Sequence, residues 1–413
     1  NSYERPQPHA CFLTSVSDDL VNDGGIMDLW VREARIFKHG SGSGVNPSRI
    51  RAKGEKLSGG GAASGLLSFL EIGDRSAGAI QSGGTTRRAA KMICLDPDHP
   101  EIEDFIGWKV REEAKAAAMY VGSRLMVEKL TEVAAATHAT NGQDDYSVDE
   151  ARRAGIPEAM IDRARIGIVP DELSIGWEGE AIRSVAAQQG NDSIRVTDDF
   201  IERVKRDDDW YLTARTTGAV VRTLKARDLW NQICRAAWAS ADPALIYHDT
   251  VNAWNTCAAD GVIRTTNPCS EFMHLDDSAC NLASLNLVAF RREDGSFDVE
   301  GFIHAVRLWT TVLDISVSMA SFPSREFAIG AWRYRTLGLG YANAGGLLMR
   351  CGLRYDSDEG RALIAGLTAL MTGVAYRTSA EMAVEVGAFP RWEANAEPMR
   401  RVLRNHARAA IAE

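Results

Sequence analysis

The segment Asn267-Pro-Cys-Ser-Glu271 is followed, a few residues later, by Cys280-Asn-Leu-Ala-Ser-Leu-Asn-Leu287. The first segment carries an amide, a thiol and a carboxylate on alternate residues. In an extended or loop conformation such side chains leave the backbone on the same side, so Asn267, Cys269 and Glu271 can face one substrate together. The second segment is an apolar run whose length and small residues favour a buried strand. The sequence therefore predicts a reactive loop that leads into a buried strand.

The seven cysteines differ in what surrounds them. Cysteine is among the most often buried residues and behaves as a small hydrophobe, so packing alone can explain any one thiol. Packing is the favoured interpretation of Cys94, in a predicted strand, and of Cys257, which has no acid or base at alternate positions. Cys269 differs, because a carboxylate and an amide beside a core thiol would cost stability unless they are used.

Composition limits the class of protein. With 413 residues, 45% of them apolar, the chain can bury the core of one large or two ordinary domains. The net charge of -9 argues against a protein that coats nucleic acid, since that role needs a basic surface. The cysteines form no Cys-x-x-Cys pair, which argues against a zinc site or a disulfide scaffold. Without a secretory leader or a long apolar window, we expect a cytoplasmic protein that binds no metal, nucleic acid or membrane.

Glycine is dense between His39 and Ala90. Glycine permits the close approach of a ligand to the backbone and exposes amide donors to phosphate. The spacings of the dinucleotide-binding fingerprint and of the P-loop are both absent. Gly-rich segments are plain turns about as often as binding loops, so spacing alone leaves both interpretations open.

Predicted strands and helices alternate along the chain, which indicates an α/β architecture. Strands are expected at Ala10–Val16, Lys91–Asp96, Ser193–Thr197, Ala244–Asp249, Cys280–Leu287 and Thr336–Gly340. Helices are expected at Leu20–Phe37 after a cap at 17–19, at Glu101–Thr137, from an Asp198 cap to about Lys205, and at Leu224–Ala241, Val299–Ala320, Asp358–Gly387 and Glu397–Ala412. Two short helices, Val148–Arg153 and Pro157–Arg165, are expected in a polar segment.

Several segments together resemble the ribonucleotide reductases, most closely their adenosylcobalamin-dependent (class II) branch. Asn267–Glu271, the following Leu-Asp-Asp and the Cys280 run are similar to the active-site segment of that family. Other similar segments are Pro8–Leu13 (first barrel strand), Gly40–Arg51 (first Gly-rich nucleotide loop), Ser82–Ala90 (specificity loop) and Arg335–Gly340 (a later strand). The Asn-Pro-Cys-Ser-Glu motif and the short gap to Cys280 favour the cobalamin branch.

The resemblance implies a fold. The family forms a ten-stranded α/β barrel of the ribonucleotide reductase and glycyl-radical type, with the Asn267–Glu271 loop threading its centre. We expect residues 1–413 to form a single catalytic domain with most of these strands, and a surface insertion at about 134–177. The resemblance also implies further chain on both sides, including the segment that holds the substrate phosphates and a C-terminal cysteine pair.

The resemblance also implies catalytic roles. Cys269 would carry a thiyl radical that takes the 3′-hydrogen of the ribose, Glu271 would act as base on the 3′-hydroxyl, and Asn267 would orient the substrate. Cys11 and Cys280 would supply two electrons and end as a disulfide. Their α-carbons must then lie within roughly 7 Å of each other. We expect a parallel pairing of their strands to achieve this.

Binding residues follow from the same resemblance. The substrate-binding residues would be Ala10, Gly42, Asn267 and Glu271. The effector-binding residues would be Asp18, Arg49, Ser82, Gly83 and Arg87. Without the resemblance, Cys11 is interpreted as a core residue and Asp18 as a helix cap.

The implied function is the reduction of ribonucleotides to 2′-deoxyribonucleotides for DNA synthesis and repair, with adenosylcobalamin as cofactor. The implied partners are a ribonucleoside diphosphate or triphosphate, a (deoxy)nucleoside triphosphate effector, a thioredoxin-like reductant and a second copy of the chain. Two alternatives stay open. A glycyl-radical enzyme would share the barrel but needs a glycyl-radical motif that this chain does not show. A non-catalytic nucleotide-binding module would use the Gly-rich loops and keep the cysteines as core.

Overall fold

The computed structural model describes residues 6–80, 89–140, 145–176 and 179–412. They form two compact units. The first, called the sheet unit, comprises residues 1–102, 190–231 and 243–413, and the second, called the helical unit, comprises residues 103–189 and 232–242. The assignment of the whole chain to one domain with an insertion at about 134–177 stays a prediction.

The described residues contain nine strands. Seven of them form one sheet in the order β7-β4-β3-β2-β1-β8-β9, and β5 pairs with β6 in a separate hairpin. From β7 to β1 all neighbours are parallel, β8 is antiparallel to β1, and β9 is parallel to β8. The strands are β1 His9–Thr14, β2 Gly42–Val45, β3 Ala90–Leu95, β4 Gly190–Val196, β5 Asp209–Thr213, β6 Val220–Lys225, β7 Ala244–Tyr247, β8 Ser278–Asn286 and β9 Leu337–Ala342.

Helices connect most of these strands. They are α1 Ile26–Lys38, α2 Leu66–Ala79, α3 Ile102–Ile106, α4 Trp108–Ala139, α5 Tyr146–Arg153, α6 Glu158–Arg165, α7 Glu180–Ser184, α8 Asp198–Arg206, α9 Ala226–Ser240, α10 His248–Ala253, α11 Val299–Met319, α12 Arg325–Tyr334, α13 Ala344–Arg350, α14 Asp358–Val386 and α15 Trp392–Ala412. Within the described ranges, none of these helices is both long enough and apolar enough to cross a membrane.

The two faces of β1 pack against different parts of the sheet unit. Phe12 packs with Ile36 and Phe37 of α1 and with Phe327 of α12, where the Phe12 and Phe327 rings meet edge to face. Its neighbour Cys11 instead packs with residues of the opposite face. Successive side chains of a strand point to opposite faces of the sheet. Burying Phe12 among helices therefore directs Cys11 to the other face.

The helical unit has a core of its own. Leu130 and Val133 of α4 pack against Val148 and Ala151 of α5 and against Ile161 of α6. The two short helices predicted for this segment are confirmed, at Tyr146–Arg153 and Glu158–Arg165. The segment that looked polar and poorly patterned thus buries enough apolar side chains to fix its helices on α4.

Two local predictions were wrong, and one hairpin was not predicted. The helix expected from Leu20 begins at Ile26, because the Asp19 carboxylate accepts hydrogen bonds from the backbone N–H groups of Val21 and Asn22 and forms a turn instead. The cap of α8 is Thr197, whose hydroxyl accepts from the Phe200 N–H, and not Asp198. The hairpin of β5 and β6 was not predicted.

The Gly-rich segment Gly40–Arg51, expected as a loop, contains β2. This four-residue strand lies between β1 and β3 and pairs with both in parallel. Glycine is a poor strand former by itself. The hydrogen bonds available from two neighbouring strands outweigh that preference here.

Candidate active site

Strands β1 and β8 bring two distant cysteines together. Cys11 and Cys280 are directly opposite partners in the antiparallel ladder, beside an irregularity between His9 and Cys11. Directly opposite residues of such a ladder have α-carbons about 4.5–5.5 Å apart and point to the same face. That separation lies within the range of a disulfide. The pairing is antiparallel, so the expected parallel pairing was wrong: the strand direction reverses between β1 and β8.

The segment Asn267–Glu271 forms a turn and not an extended strand, and this segment is called the active-site turn. The Ser270 N–H donates to the Asn267 carbonyl at 3.0 Å, and Ser270 adopts a left-handed φ of 66°. Asn267 is buried at 1% exposure, whereas Cys269 and Glu271 are exposed. The turn therefore presents the Cys269 thiol at its surface and anchors itself through Asn267.

The side chains of Asn267 and Glu271 both meet the sulfur of Cys11. The Asn267 Nδ2 donates to the Cys11 Sγ at 3.0 Å, and the Cys11 thiol donates to the Glu271 Oε1 at 3.3 Å. The Asn267 Oδ1 accepts from the Phe272 N–H at 2.9 Å, which fixes the orientation of the amide. An amide, a thiol and a carboxylate thus converge from β1 and from the active-site turn.

Burial keeps the thiols of Cys11 and Cys280 protonated. Burial, with a smaller contribution from the nearby Glu271 carboxylate, raises the pKa of Cys280 to about 12. The same two causes raise the pKa of Cys11 well above its ordinary range. At neutral pH the pair therefore consists of two S–H groups, which can donate hydrogen but are weak nucleophiles.

Alkylation by iodoacetamide at pH 8 should divide the seven cysteines into two classes. With a pKa of about 12, the thiolate fraction of Cys280 at that pH is about one in ten thousand. We expect rapid labelling only of the exposed thiols, Cys234, Cys269 and Cys351, and slow labelling of the buried ones, Cys11, Cys94, Cys257 and Cys280. Mass spectrometry of the labelled peptides would measure both rates. Labelling of Cys280 in the folded protein as fast as that of Cys234 would contradict this geometry.

The backbone of the active-site turn passes very close to β2. A Cβ atom placed on Gly44 would lie 1.8 Å from the Thr266 carbonyl oxygen, and one on Gly42 would lie 3.0 Å from the Pro268 ring. Only a residue without a side chain fits at Gly44. Gly42 and Gly44 of β2 therefore leave space for the active-site turn, in addition to any ligand.

The sequence of the chain is similar to known proteins over almost its whole length. The sequence profile of the ribonucleotide reductase barrel domain matches residues 9–409. The chain belongs to the ribonucleotide reductase family. This confirms the resemblance and the α/β barrel fold class, of which the described residues show a seven-stranded sheet.

Individual ribonucleotide reductases are similar over almost the whole chain. The vitamin B12-dependent ribonucleotide reductase of Bradyrhizobium diazoefficiens is 56% identical over 99% of the chain, and that of Agrobacterium fabrum is 53% identical over 99%. The vitamin B12-dependent ribonucleoside-diphosphate reductase of Mycobacterium tuberculosis is 30% identical over 92%. The chain spans 34% of the length of each of the first two relatives and 44% of the third.

Of the residues predicted for a ribonucleotide reductase site, the structure brings four into one cluster: Cys11, Cys280, Asn267 and Glu271. Cys269 lies on the same turn. Ala10 lies at the irregularity of β1 and packs against the cluster that contains Cys11 and Cys280, and Gly42 lies in β2 against Pro268. The roles of all these residues stay predictions.

The predicted effector residues are described only in part. Asp18 accepts from the Arg51 Nε at 2.6 Å, so its carboxylate forms an ion pair and does not cap a helix. Arg49 is exposed two residues before Arg51. Sequence reasoning missed Arg51, although it belongs to the quoted Gly-rich segment. Ser82, Gly83 and Arg87 lie outside the described residues.

A further carboxyl, that of the half-buried Asp276, lies in the segment that follows Asn267–Glu271. Its Oδ1 atom is buried and has no hydrogen-bond partner among the described residues. Burial raises the pKa of Asp276 to about 6, against the opposing charge of Arg264. Sequence reasoning noted this residue only as part of the Leu-Asp-Asp motif.

The raised pKa of Asp276 predicts a dependence of stability on pH. Because the folded pKa exceeds the unfolded value, this group's contribution to stability is complete below about pH 4 and is lost as the pH rises through 6. Asp276→Asn should remove this loss, which amounts to at most about 3 kcal/mol. Urea unfolding of both proteins between pH 4 and 7.5 would measure it. Parallel stability curves for the two proteins would contradict the prediction.

Proposed function

We propose that the protein containing this chain reduces ribonucleotides to 2′-deoxyribonucleotides through a thiyl radical on Cys269. The observation that carries the proposal is the placement of Cys11 directly opposite Cys280, with Asn267 and Glu271 both on the Cys11 sulfur. A packed core needs no carboxylate and amide on a buried thiol. A site in which the Cys11 and Cys280 dithiol reduces a substrate that reacts at Cys269 would use these residues together with Asn267 and Glu271.

The chemistry of the substrate explains why a radical is needed. Replacing the 2′-hydroxyl by hydrogen breaks an unactivated C–O bond, which acid-base catalysis alone does not do readily. Removal of the 3′-hydrogen by the Cys269 thiyl radical, with Glu271 accepting the 3′-hydroxyl proton, weakens the adjacent C–O bond. The 2′-hydroxyl then leaves as water after receiving a proton.

Oxidation of the Cys11 and Cys280 pair supplies the two electrons that the reaction requires. Two thiols lose two electrons and two protons and form one disulfide, while the sugar gains two electrons and releases one water molecule. Cys269 returns its hydrogen atom to the 3′-carbon and regains the radical. The net change is ribonucleotide plus dithiol to deoxyribonucleotide, disulfide and water, so the dithiol must be reduced again before the next cycle.

The proposed cofactor is adenosylcobalamin, a form of vitamin B12, and the relatives from Bradyrhizobium and Agrobacterium are named vitamin B12-dependent. When bound, it supplies the radical that removes the hydrogen atom of the Cys269 thiol. The exposure of Cys269 on its turn fits such an external initiator, since a buried thiol would be out of reach. The chain contributes the thiol, the turn that holds it and the dithiol behind it.

The proposed partners follow from the same reaction. A thioredoxin-like dithiol would reduce the disulfide, and a ribonucleoside diphosphate or triphosphate would be the substrate. A (deoxy)nucleoside triphosphate effector would bind near Asp18 and the exposed Arg49, together with Ser82, Gly83 and Arg87. The guanidinium of Arg49 suits a phosphate. A second copy of the chain would complete a homodimer.

An activity assay tests the proposal. The intact protein is incubated with adenosylcobalamin, a dithiol and each ribonucleotide in turn, and the expected product is the 2′-deoxyribonucleotide, separated by chromatography. Omission of either the cofactor or the dithiol should stop multiple turnovers. Product formed with iron and a partner subunit but without cobalamin would overturn the cofactor assignment. Nucleotide binding without consumption of reductant would favour a regulatory module instead.

A further inference from the structure

The main chain leading into and through the active-site turn is held by asparagine side chains from three different elements. The Asn252 amide of α10 makes two hydrogen bonds with the main chain of Ile263, at 2.9 and 3.1 Å. The Asn46 Nδ2, just after β2, donates to the Arg264 carbonyl at 3.0 Å and also to the Asp96 carboxylate. These two fix the stem of the turn.

The third side chain acts on the turn itself. Asn191, an exposed residue of β4, donates from its Nδ2 to the Pro268 carbonyl at 3.0 Å. That carbonyl belongs to the peptide group whose N–H is the N–H of Cys269. A peptide group is planar, so holding its oxygen holds the α-carbon of the residue that follows. Asn191 therefore constrains the backbone of Cys269 through the Pro268 carbonyl.

Pro268 increases the effect of this hydrogen bond on the backbone conformation. The proline ring fixes φ near -65°, which leaves ψ as the only free backbone angle of that residue. The bond from Asn191 constrains the direction of the carbonyl and hence ψ. With both angles fixed, the position of the Cys269 α-carbon is determined relative to β4.

We propose that Asn191 is a positioning residue for Cys269, which sets the distance between the thiol and the ribose through the Pro268 carbonyl. The inference rests on the proposed radical function of Cys269. Reacting atoms must lie about 3–3.5 Å apart, and a displacement of about 1 Å can cost a hundredfold in rate. A positioning residue therefore affects the rate constant of the reaction and not the binding of the substrate.

Three substitutions separate the hydrogen bond from the fold. Asn191→Ala removes the donor, Asn191→Asp keeps the shape without the donor, and Asn191→Gln keeps a donor on a longer side chain. In the intact protein, we expect kcat to fall about tenfold to a hundredfold for Ala and Asp, with KM within about twofold. Asn191→Gln should recover part of the loss.

Asn286→Ala is a matched control. Asn286 is also an exposed strand asparagine with a side-chain bond to the main chain, accepting from the Val288 N–H at 3.3 Å. It lies at the end of β8, six residues from Cys280. Its replacement should leave kcat unchanged. Thermal melting of each variant shows whether it folds, and if Asn191→Ala does not, the Asp and Gln pair decides the question.

A measurement independent of turnover completes the test. In Asn191→Ala and Asn191→Asp, the rate of alkylation of Cys269 should rise at least about threefold, because the turn is no longer held. Cys234 and Cys351, the other exposed thiols, serve as internal controls whose rates should not change.

An unchanged Cys269 rate together with an unchanged kcat would overturn the inference, as would a rise in KM alone. If the wild-type protein forms no deoxyribonucleotide, the proposed function fails, whereas the alkylation rates still decide whether Asn191 holds the turn.

Discussion

Cys269→Ala is expected to abolish deoxyribonucleotide formation by the intact protein, with kcat reduced by at least about a thousandfold. Cys269 carries the one thiol of the turn Asn267–Glu271, all of whose residues are described, and this thiol is exposed. Under the proposed mechanism, no neighbouring side chain can replace it as a radical carrier. The cost in stability should be small, since an exposed side chain is shortened without leaving a cavity.

The two buried cysteines should respond differently. Cys11→Ser and Cys280→Ser should each block repeated turnover, because a single thiol cannot form the disulfide that balances the reaction. In the wild-type protein, a non-reducing digest after turnover without external reductant should contain the cross-linked Cys11 and Cys280 peptides. Cys234→Ala, which removes another exposed thiol, should retain full activity and serves as the control. Full turnover by Cys269→Ala would refute the radical assignment.

The sequence predicted the members of the site better than their geometry. The Asn-x-Cys-x-Glu pattern identified Asn267, Cys269 and Glu271, but their alternation suggested one shared face. In the structure, the Ser270 bond to Asn267 closes a turn, and the Glu271 carboxylate meets Cys11. A local pattern reports which groups are available. Which groups meet depends on contacts between segments far apart in the chain.

The pairing of Cys11 with Cys280 shows the same limit. Each cysteine was placed in a strand correctly, at His9–Thr14 and Ser278–Asn286. Their association came only from the family resemblance, and the direction of pairing was predicted wrongly. The direction is set by the order of strands in the sheet, in which β1 has the parallel β2 on one side and β8 on the other. Nothing in either strand alone encodes that order.

The supports of the active-site turn were invisible in the sequence for a physical reason. Asn46, Asn191 and Asn252 act through single side-chain bonds to main-chain atoms. Such bonds leave no periodic pattern, and asparagine is common in turns and caps for unrelated reasons. The dense glycines did leave a signal. Neither of its two interpretations, a plain turn or a ligand loop, allowed for another part of the chain that needs the space.

The second large effect is expected for Gly44→Ala. The added methyl group would lie 1.8 Å from the Thr266 carbonyl oxygen and 2.8 Å from the carbonyl carbon, so either β2 or the turn must move. Overpacking against backbone costs about 1–3 kcal/mol of folding free energy. Because Thr266 directly precedes Asn267, a displacement of about 1 Å would be passed to the turn and lower kcat at least about a hundredfold.

Gly340→Ala is the matched control for this prediction. Gly340 also lies within a strand of the sheet, β9, but a Cβ atom there would meet nothing within 4 Å. Its replacement should be neutral or stabilising by up to about 1 kcal/mol, since alanine loses less backbone entropy on folding. Urea unfolding would compare the stabilities, and steady-state kinetics the rates. Equal kcat for Gly44→Ala and Gly340→Ala would show that the turn tolerates displacement, and that its close approach to β2 does not set the position of Cys269.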